Sequence, residues 1–352
     1  MVKSTGSKQK PKKGFLDISI VVPTRNNKDT IKNCLESLVK LDYPKNKYEI
    51  ITSDGMSKDG TREIIAKYAK KYKKSLKISL IDNKKLNSAA GRNLAVKKAK
   101  NKIIAFTDSD CFVPKKWLKT LVNALKKHDS TDLAGVGGPN YPPSFSDDFA
   151  KAVGYAISTR IGSLGSVQGY VYKKPVEVIS IPNCNALIKK EAIEKAGYYD
   201  EYFATGQDAE VNLRIRKKGF RFLFIPNAPV WHEMRNTPYK FFKRMYQYGF
   251  ARMKIIFKHP DSLRPIHLLP VLAFIISLSL FISSLWYRNF LYILGLLVVI
   301  YVLMIFIGSL SKVTKERLGL ISSIKFIFLM MLAFIIEYTG YTFGELAGIF
   351  KK

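Results

Sequence analysis

Asp17-Ile18-Ser19-Ile20-Val21-Val22-Pro23 is a short apolar, β-branched run that ends at a turn signal. That pattern belongs to a strand buried on both faces. The chain then turns helical, with Ile31, Cys34, Leu35 and Leu38 at helical spacing and Asn27 or Asp29 where a cap belongs. Tyr48 to Ser53 reads as the next strand, and Asp59-Gly60-Thr61 opens a helix with Ile64, Ile65, Tyr68 and Tyr72 on one face. Leu76 to Asp82, Ala89 to Lys100 and Ile103 to Thr107 continue as strand, helix and strand. This strict alternation predicts an α/β domain: right-handed βαβ units around a mostly parallel, Rossmann-like sheet. Ligands of such sheets sit beyond the carboxyl ends of the strands. Thr24 to Asn27, Asp54, Asp108 and Asp110 fall there.

After Pro114 the pattern loosens into connections such as Gly137-Gly138-Pro139 and Tyr141-Pro142-Pro143. Val176 to Ile181 and Arg221 to Ile225 read as further strands flanking a helix from about Asp208 to Lys218, a half expected to shape an acceptor site. From Tyr239 to Lys258 one helical face carries Phe242, Met245, Tyr246, Gly249, Phe250, Met253, Ile256 and Phe257, and the other carries Lys240, Lys243, Arg244, Gln247, Lys254 and Lys258. A basic amphipathic helix of this kind lies in the headgroup plane; the alternative is a helix packed on a core with a solvated lysine face. Ile266 to Ser284 and Phe290 to Leu310 each approach the roughly 20 residues that cross a bilayer. Leu320 to Gly340 is a weaker third segment, bracketed by Lys325 and Glu337. Lys312, Lys315 and Arg317 place the loop after the second segment in the cytoplasm, on the same side as the α/β domain. A third full span would put Lys351 and Lys352 outside, against that rule.

The 352 residues hold 58 Lys and Arg against 27 Asp and Glu, a net charge of +31. The basic residues are mostly lysines scattered through every helix, with no motif that reads bases, so the anionic partner implied is a membrane surface and no nucleic acid. Cys34, Cys111 and Cys184 are far apart in sequence with no histidine at ligand spacing, and read as small buried hydrophobes. The stretch Met1 to Phe15 has five lysines and no apolar core, so it reads as a basic tail instead of a signal peptide.

Asp108-Ser109-Asp110 follows the apolar strand from Ile103 to Thr107. If the chain stays extended, residues two apart point the same way and both carboxylates face one hard cation. Mg²⁺ or Mn²⁺ held there would neutralise a diphosphate leaving group. Alone, Asp-x-Asp is a weak motif that also occurs in solvated turns; the preceding buried strand strengthens it.

Val22-Pro23-Thr24-Arg25-Asn26-Asn27, Ser53-Asp54-Gly55-Met56-Ser57-Lys58-Asp59-Gly60-Thr61, Gly91-Arg92-Asn93 and Asp108-Ser109-Asp110, in this order and spacing, resemble the family 2 (GT-A) inverting glycosyltransferases. The resemblance covers about residues 17 to 250, and Gly206-Gln207-Asp208 and Val230-Trp231-His232 are similar to the family's Glu-Asp segment and late histidine. It implies a GT-A domain over 17–236, after a disordered basic tail over 1–16. An amphipathic interface segment over 237–262 and a transmembrane region of two or three helices over 263–352 follow. It further implies that Pro23, Thr24 and Arg25 line the nucleotide pocket with Asn27 and Ser109 beside them, that Asp54 pairs with the base, and that Arg92 approaches the donor. Asp108 and Asp110 would hold metal and diphosphate, His232 would complete the metal shell, and Asp208 would be the general base. Two positions depart from the family pattern: Ser53 stands where many members have Asp, and Gln207 where many have Glu.

Inverting transfer is one in-line displacement, so it needs one base for the incoming hydroxyl and one electrophile for the departing diphosphate. Asp208 and the metal cluster fill those roles, although Asp208 also suits a helix N-terminus for its dipole alone and His232 a hydrogen-bonded structural role. Arg235, Lys243, Arg244 and Arg252 would meet acceptor phosphates or simply lipid headgroups. The implied enzyme is a multi-pass protein of the cell membrane that takes a UDP- or GDP-sugar and passes the sugar to a polyprenyl lipid acceptor. Two alternatives stand. A processive polysaccharide synthase would carry Gln-x-x-Arg-Trp, which the nearest text, Gln247 to Arg252, lacks. An inactive basic membrane-bound nucleotide-binding protein would not need Asp54, Asp108, Asp110 and Asp208 together.

Overall fold

β1 (Ile18–Thr24) is buried along its whole length. Ile18, Ile20 and Val22 pack into one core layer and Val21 into the other, so both faces of the strand are covered, as its unbroken apolar run requires. The computed structural model describes residues 14–163 and 172–350; most of the expected N-terminal tail, and Lys351 and Lys352, lie outside them. After β1 come α1 (Lys28–Val39), β2 (Tyr48–Asp54), α2 (Thr61–Tyr72), β3 (Lys77–Asp82), α3 (Ser88–Lys98) and β4 (Ile103–Phe106). The second half runs β5 (Cys111–Phe112), α4 (Trp117–Lys127), β6 (Leu133–Gly137), β7 (Asn140–Tyr141), α5 (Asp148–Ile157), α6 (Arg160–Ser163), β8 (Val176–Val178), β9 (Ala186–Lys189) and α7 (Lys190–Lys195). It closes with α8 (Gln207–Lys217), β10 (Arg221–Phe224) and β11 (Val230–His232).

The main sheet has eight strands in the order β3-β2-β1-β4-β9-β6-β10-β8, and β5-β11-β7 form a small second sheet. β1 pairs in parallel with both β2 and β4, and β2 with β3. β9 is wedged antiparallel between β4 and β6, and β8 runs antiparallel to β10 at the edge. The expected parallel half is therefore extended by a mixed half. The loosened text after Pro114 conceals four strands, β6, β7, β9 and β11, and four helices, α4 to α7; in β6 the reason is that glycine serves as a spacer. A Cβ on Gly137 would lie 2.8 Å from the Asn185 carbonyl oxygen, and one on Gly135 would run into that of Leu187, so β6 sits beside β9 only where side chains are missing.

Three helices complete the chain, all long and apolar enough to cross a membrane: α10 (Pro265–Ser283), α11 (Asn289–Glu316) and α12 (Leu320–Phe350), preceded by α9 (Pro238–Lys258). α9 is capped by Thr237, whose hydroxyl accepts from the Lys240 amide, with Pro238 at its first turn. Its buried residues include Phe241, Met245, Gly249, Met253 and Ile256, and most of that side is covered by α12. The apolar face expected to meet headgroups is thus largely claimed by another helix, while Phe257 remains exposed. Glycines set the spacing of this seam. A Cβ on Gly249 would collide with the Tyr341 carbonyl and one on Gly344 with that of Tyr246, while one on Gly340 would lie 2.9 Å from the Phe242 oxygen. Alanines Ala152 and Ala156 of α5, Phe334 and Met330 of α12 and Ile305 of α11 form a third core that ties this region to the α/β domain.

Gly344→Leu should force the two backbones apart. Overpacking of this kind costs about 1–3 kcal/mol, lowering the unfolding midpoint in detergent by on the order of 5 °C. Gly295→Ala, at a helical position with open space around it, should lower it not at all.

Candidate active site

At the carboxyl ends of the parallel strands lies a cleft of about 440 Å³. Pro23, Thr24, Arg25 and Asn27 line it from the end of β1, Ser53 and Gly55 from β2, Asn83 and Asn87 from β3, and Arg92 from α3. Asp108, Ser109 and Asp110 follow β4, and the opposite wall brings Asp208, His232, Arg235 and, from α9, Arg244 and Tyr248. Of the residues expected from sequence, Asp54, Lys243 and Arg252 are the ones outside this wall.

The two aspartates meet by a different route from the extended chain expected. Residues 108–111 form a turn in which the Cys111 amide donates to the Asp108 carbonyl at 3.0 Å. One ligand atom each from Asp108, Asp110 and His232 lies within 4.8 Å of the other two. Between the aspartates, the Ser109 hydroxyl donates to Asn27 Oδ1 at 2.9 Å, and the same oxygen accepts from the Arg25 amide at 3.1 Å. Asn27 therefore stands at the N-cap position of α1 without capping it; its carboxamide pins the β1 loop to the aspartate turn.

Strand pairing of β11 with β5 sets His232 opposite Cys111, and His232 Nε2 lies 3.4 Å from Asp110 Oδ1 while Nδ1 faces Asn140 at 3.3 Å. Burial opposes ionisation of both partners, yet their mutual attraction wins. The Asp110 carboxyl, helped by Arg235 at 4.0 Å, falls well below the usual carboxylate range, and the His232 imidazole rises well above its ordinary value. Two carboxylates and an imidazole are a donor set that suits Mg²⁺ or Mn²⁺, provided that a bound cation displaces the His232 proton that Asp110 holds in its absence. A sulfur set adjoins it: Cys111, Cys184 and His232 also offer atoms within 4.8 Å of one another. Sequence separation hid this grouping; the cysteines are buried as expected, but two of them share a histidine.

Arg92 joins the two halves of the cleft. Its Nη1 donates to Gln207 Oε1 and its Nη2 to Asp108 Oδ1, each at 2.7 Å. Because Gln207 is neutral, the guanidinium charge faces one carboxylate only; a Glu there would compete with Asp108 for it. Asp208 sits in the first turn of α8, half-buried, its carboxylate accepting from the Ala209 amide at 2.9 Å. Gly206, before it, is left-handed at φ +74°, a conformation glycine adopts freely, and a Cβ there would lie 3.2 Å from Ala251 of α9. Arg244 lies over the Tyr248 ring, 4.6 Å from its centre, facing the same space.

Asp54 is fully buried and its carboxylate is committed to the loop after β2, accepting from the Ser57 amide at 2.9 Å, the Ser57 hydroxyl and Arg62 Nη1 at 2.8 Å. Lys243 is exposed on the far side of α9, and Arg252 points along the α12 seam. The residues missed in the sequence are Asn83, Asn140, Cys184 and Tyr248. Asn83 had a signal, since it directly follows the end of a parallel strand, β3. Buried Ser53 Oγ, Asn83 Oδ1, Asn140 Oδ1 and Arg92 Nε have no hydrogen-bond partner among the described residues, and all four residues line the cleft. Unmet polar atoms lining one cleft mark a surface built for a polar ligand.

An eight-stranded α/β sheet with these loops at its carboxyl edge defines a GT-A-type nucleotide-sugar fold. The chain belongs to glycosyl transferase family 2, whose model matches residues 19–197, just over half of it. It is a glycosyltransferase. It is 29% identical over 304 residues, 85% of this chain and 88% of the relative, to dolichyl N-acetyl-alpha-D-glucosaminyl phosphate 3-beta-D-2,3-diacetamido-2,3-dideoxy-beta-D-glucuronosyltransferase of Methanococcus voltae. Glycosyltransferase AglE of Haloferax volcanii is 26% identical over 248 residues, 70% of this chain and 76% of the relative. Among solved structures, mannosyltransferase PcManGT from Pyrobaculum calidifontis, in complex with GDP-Man and Mn²⁺, superposes with a TM-score of 0.58 at 16% identity, covering 97% of this chain and 89% of that one.

Arg92→Ala leaves Asp108 and Gln207 without their shared partner. Losing charge-assisted hydrogen bonds worth about 1.5–3 kcal/mol should lower sugar-transfer rate tenfold or more, with the circular dichroism spectrum unchanged. Arg92→Lys, which reaches one acceptor at a time, should recover part of it.

Proposed function

We propose that this glycosyltransferase is metal-dependent and moves a sugar, with inversion, from a nucleotide-diphosphate donor to a polyprenyl-phosphate or polyprenyl-linked glycan at the cytoplasmic face of the cell membrane. The observation that carries this reading is that Asp208 and the Asp108/Asp110/His232 donor set face one cleft, whose far wall is α9, the helix seated on the apolar C-terminal region. The Methanococcus relative is by its name a dolichyl-phosphate-linked enzyme, and PcManGT was solved with GDP-Man and Mn²⁺, which supports the lipid acceptor and the divalent cation.

Asp108, Asp110 and His232 would hold Mg²⁺ or Mn²⁺, which when bound supplies a Lewis acid for the diphosphate. Asp208 takes the proton of the acceptor hydroxyl as its oxygen attacks the anomeric carbon, while the bond from that carbon to the diphosphate breaks on the opposite side. Pro23, Thr24, Arg25, Ser53 and Asn83 surround the nucleoside, the last two with hydrogen-bonding capacity to spare. Arg92 braces Asp108 against the pull of the leaving group. Arg235 and Arg244 stand on the acceptor side for a phosphate or glycan hydroxyl. The basic loop Lys312, Lys315 and Arg317 supports a cytoplasmic catalytic domain.

Membranes containing the protein, offered labelled UDP- and GDP-sugars with polyprenyl phosphate or lipid-linked glycan, should label a lipid extract in an EDTA-sensitive way, restored by Mn²⁺ or Mg²⁺. Asp208→Asn should lower transfer by about 10²–10⁴ while nucleotide binding persists. Labelling that survives both EDTA and Asp110→Ala would sink the metal-dependent mechanism, and a long water-soluble polymer would show a processive enzyme instead.

A further inference from the structure

α11 and α12 are similarly apolar, yet they meet their surroundings differently. In α11 the consecutive residues Leu296, Leu297, Val298, Val299 and Ile300 are all exposed, so apolar side chains point outward in every direction. That stretch must be ringed by lipid, while Ile305, Ser309 and Val313 in the later turns of α11 are buried against the rest of the protein. In α12, beyond a first turn exposed on several sides, exposure follows one line at helical spacing, Phe328, Leu332, Ile335 and Phe343, the last also touching Phe242 and Phe274, and ends at Phe350, which is 82% exposed. The remaining circumference is covered chiefly by α9 and α5, with α10 and α11 packed against it as well, through Phe274 on Phe343 and Tyr301 on Tyr338.

That cover is continuous. Near the start of α12, Lys325 pairs with Asp148 of α5; next, Met330, Ala333 and Phe334 pack on Ala152, Val153 and Ala156; then the Tyr338 hydroxyl donates to the Ile161 carbonyl at 2.8 Å. Further on, Gly340 and Gly344 meet α9, and a Cβ on Gly348 would lie 2.7 Å from Met253. From Lys325 to Gly348 is about 35 Å at 1.5 Å per residue, longer than the roughly 30 Å hydrocarbon core. If α12 crossed the bilayer, α5 and α9 would be carried in beside it. α9 brings Lys240, Lys243, Lys254 and Lys258, which hydrocarbon does not accept.

We propose that α12 does not span the membrane but lies in its plane, with the line from Phe328 to Phe350 sunk into the headgroup–acyl boundary and the opposite side fastened to the catalytic domain. The chain then has two spans, α10 and α11, and both ends of the C-terminal region are cytoplasmic. Lys351 and Lys352 satisfy the positive-inside rule without exception. Through its glycine seam, α12 holds α9, and with it Arg244 and Tyr248, at the level of the lipid headgroups. The occupant of the stripe is the bilayer itself, since α12 is packed against both helices of the α10–α11 hairpin and its apolar line is left exposed beside theirs. This inference rests on the membrane reading of the preceding section.

The full-length chain in a bacterial inner membrane tests it. Reporters fused after Phe350 or inserted at Arg288, one fluorescent only inside and one active only outside, should place residue 350 on the side of the catalytic domain and the Arg288 turn opposite. Single probes at Phe328, Ile335 and Phe343 should report one shared shallow depth by quenching with lipids brominated at graded positions. Residue 350 on the far side, or a depth profile that rises toward the bilayer centre and falls again, overturns the proposal. Release of the whole chain by carbonate would instead overturn the membrane reading on which it rests.

Discussion

The site hangs on a guanidinium that answers to two acceptors at once. Arg92 is buried, and a buried cation survives only when it is paired. Its two 2.7 Å bonds run to Asp108, at the end of the parallel half of the sheet, and to Gln207, at the start of α8 in the mixed half. The Asp108 end of the cleft and α8 are thereby fixed at one separation. Substituting Gln for the family's more usual Glu sharpens this: the neutral partner orients the guanidinium without diluting its charge on Asp108.

A second constraint follows from where α8 rests. Gly206, which starts α8, abuts Ala251 and Ile255 of α9, and α9 in turn lies against α12 with glycines at the crossing. A chain of close contacts thus leads from α12 through α9 to the start of α8, which carries Asp208. Side chains pack at near-crystalline density, so such contacts transmit position instead of absorbing it.

The sequence was most legible where the signal is local. β1 was expected over Asp17 to Pro23 and forms over Ile18–Thr24, and α8 was expected from Asp208 and begins at Gln207, because runs and periods are written in neighbouring residues. Gly135 and Gly137 defeated the same reading: glycine advertises a loop, and only the approach of β9, some fifty residues on, makes it a strand spacer. Asp108 and Asp110 were legible as a pair, but the turn that joins them was not, since it depends on the β5–β11 pairing. Asp54 reads as a ligand contact in the sequence, and what could not be read there is that Arg62, in the first turn of α2, pairs with its carboxylate. Likewise, the apolar face of α9 was written in its own periodicity, while its partner lay about ninety residues downstream.

The seam between α9 and α12 also decides how this protein can be divided. A catalytic fragment cut before Pro238 would lose Arg244 and Tyr248 from the cleft and leave Gly206 facing water. One cut after Lys258 would keep them but bare a face of α9 shaped for a helix no longer present. The catalytic domain and the apolar C-terminal helices therefore share one packed seam, and truncation on either side of α9 loosens the wall of the site.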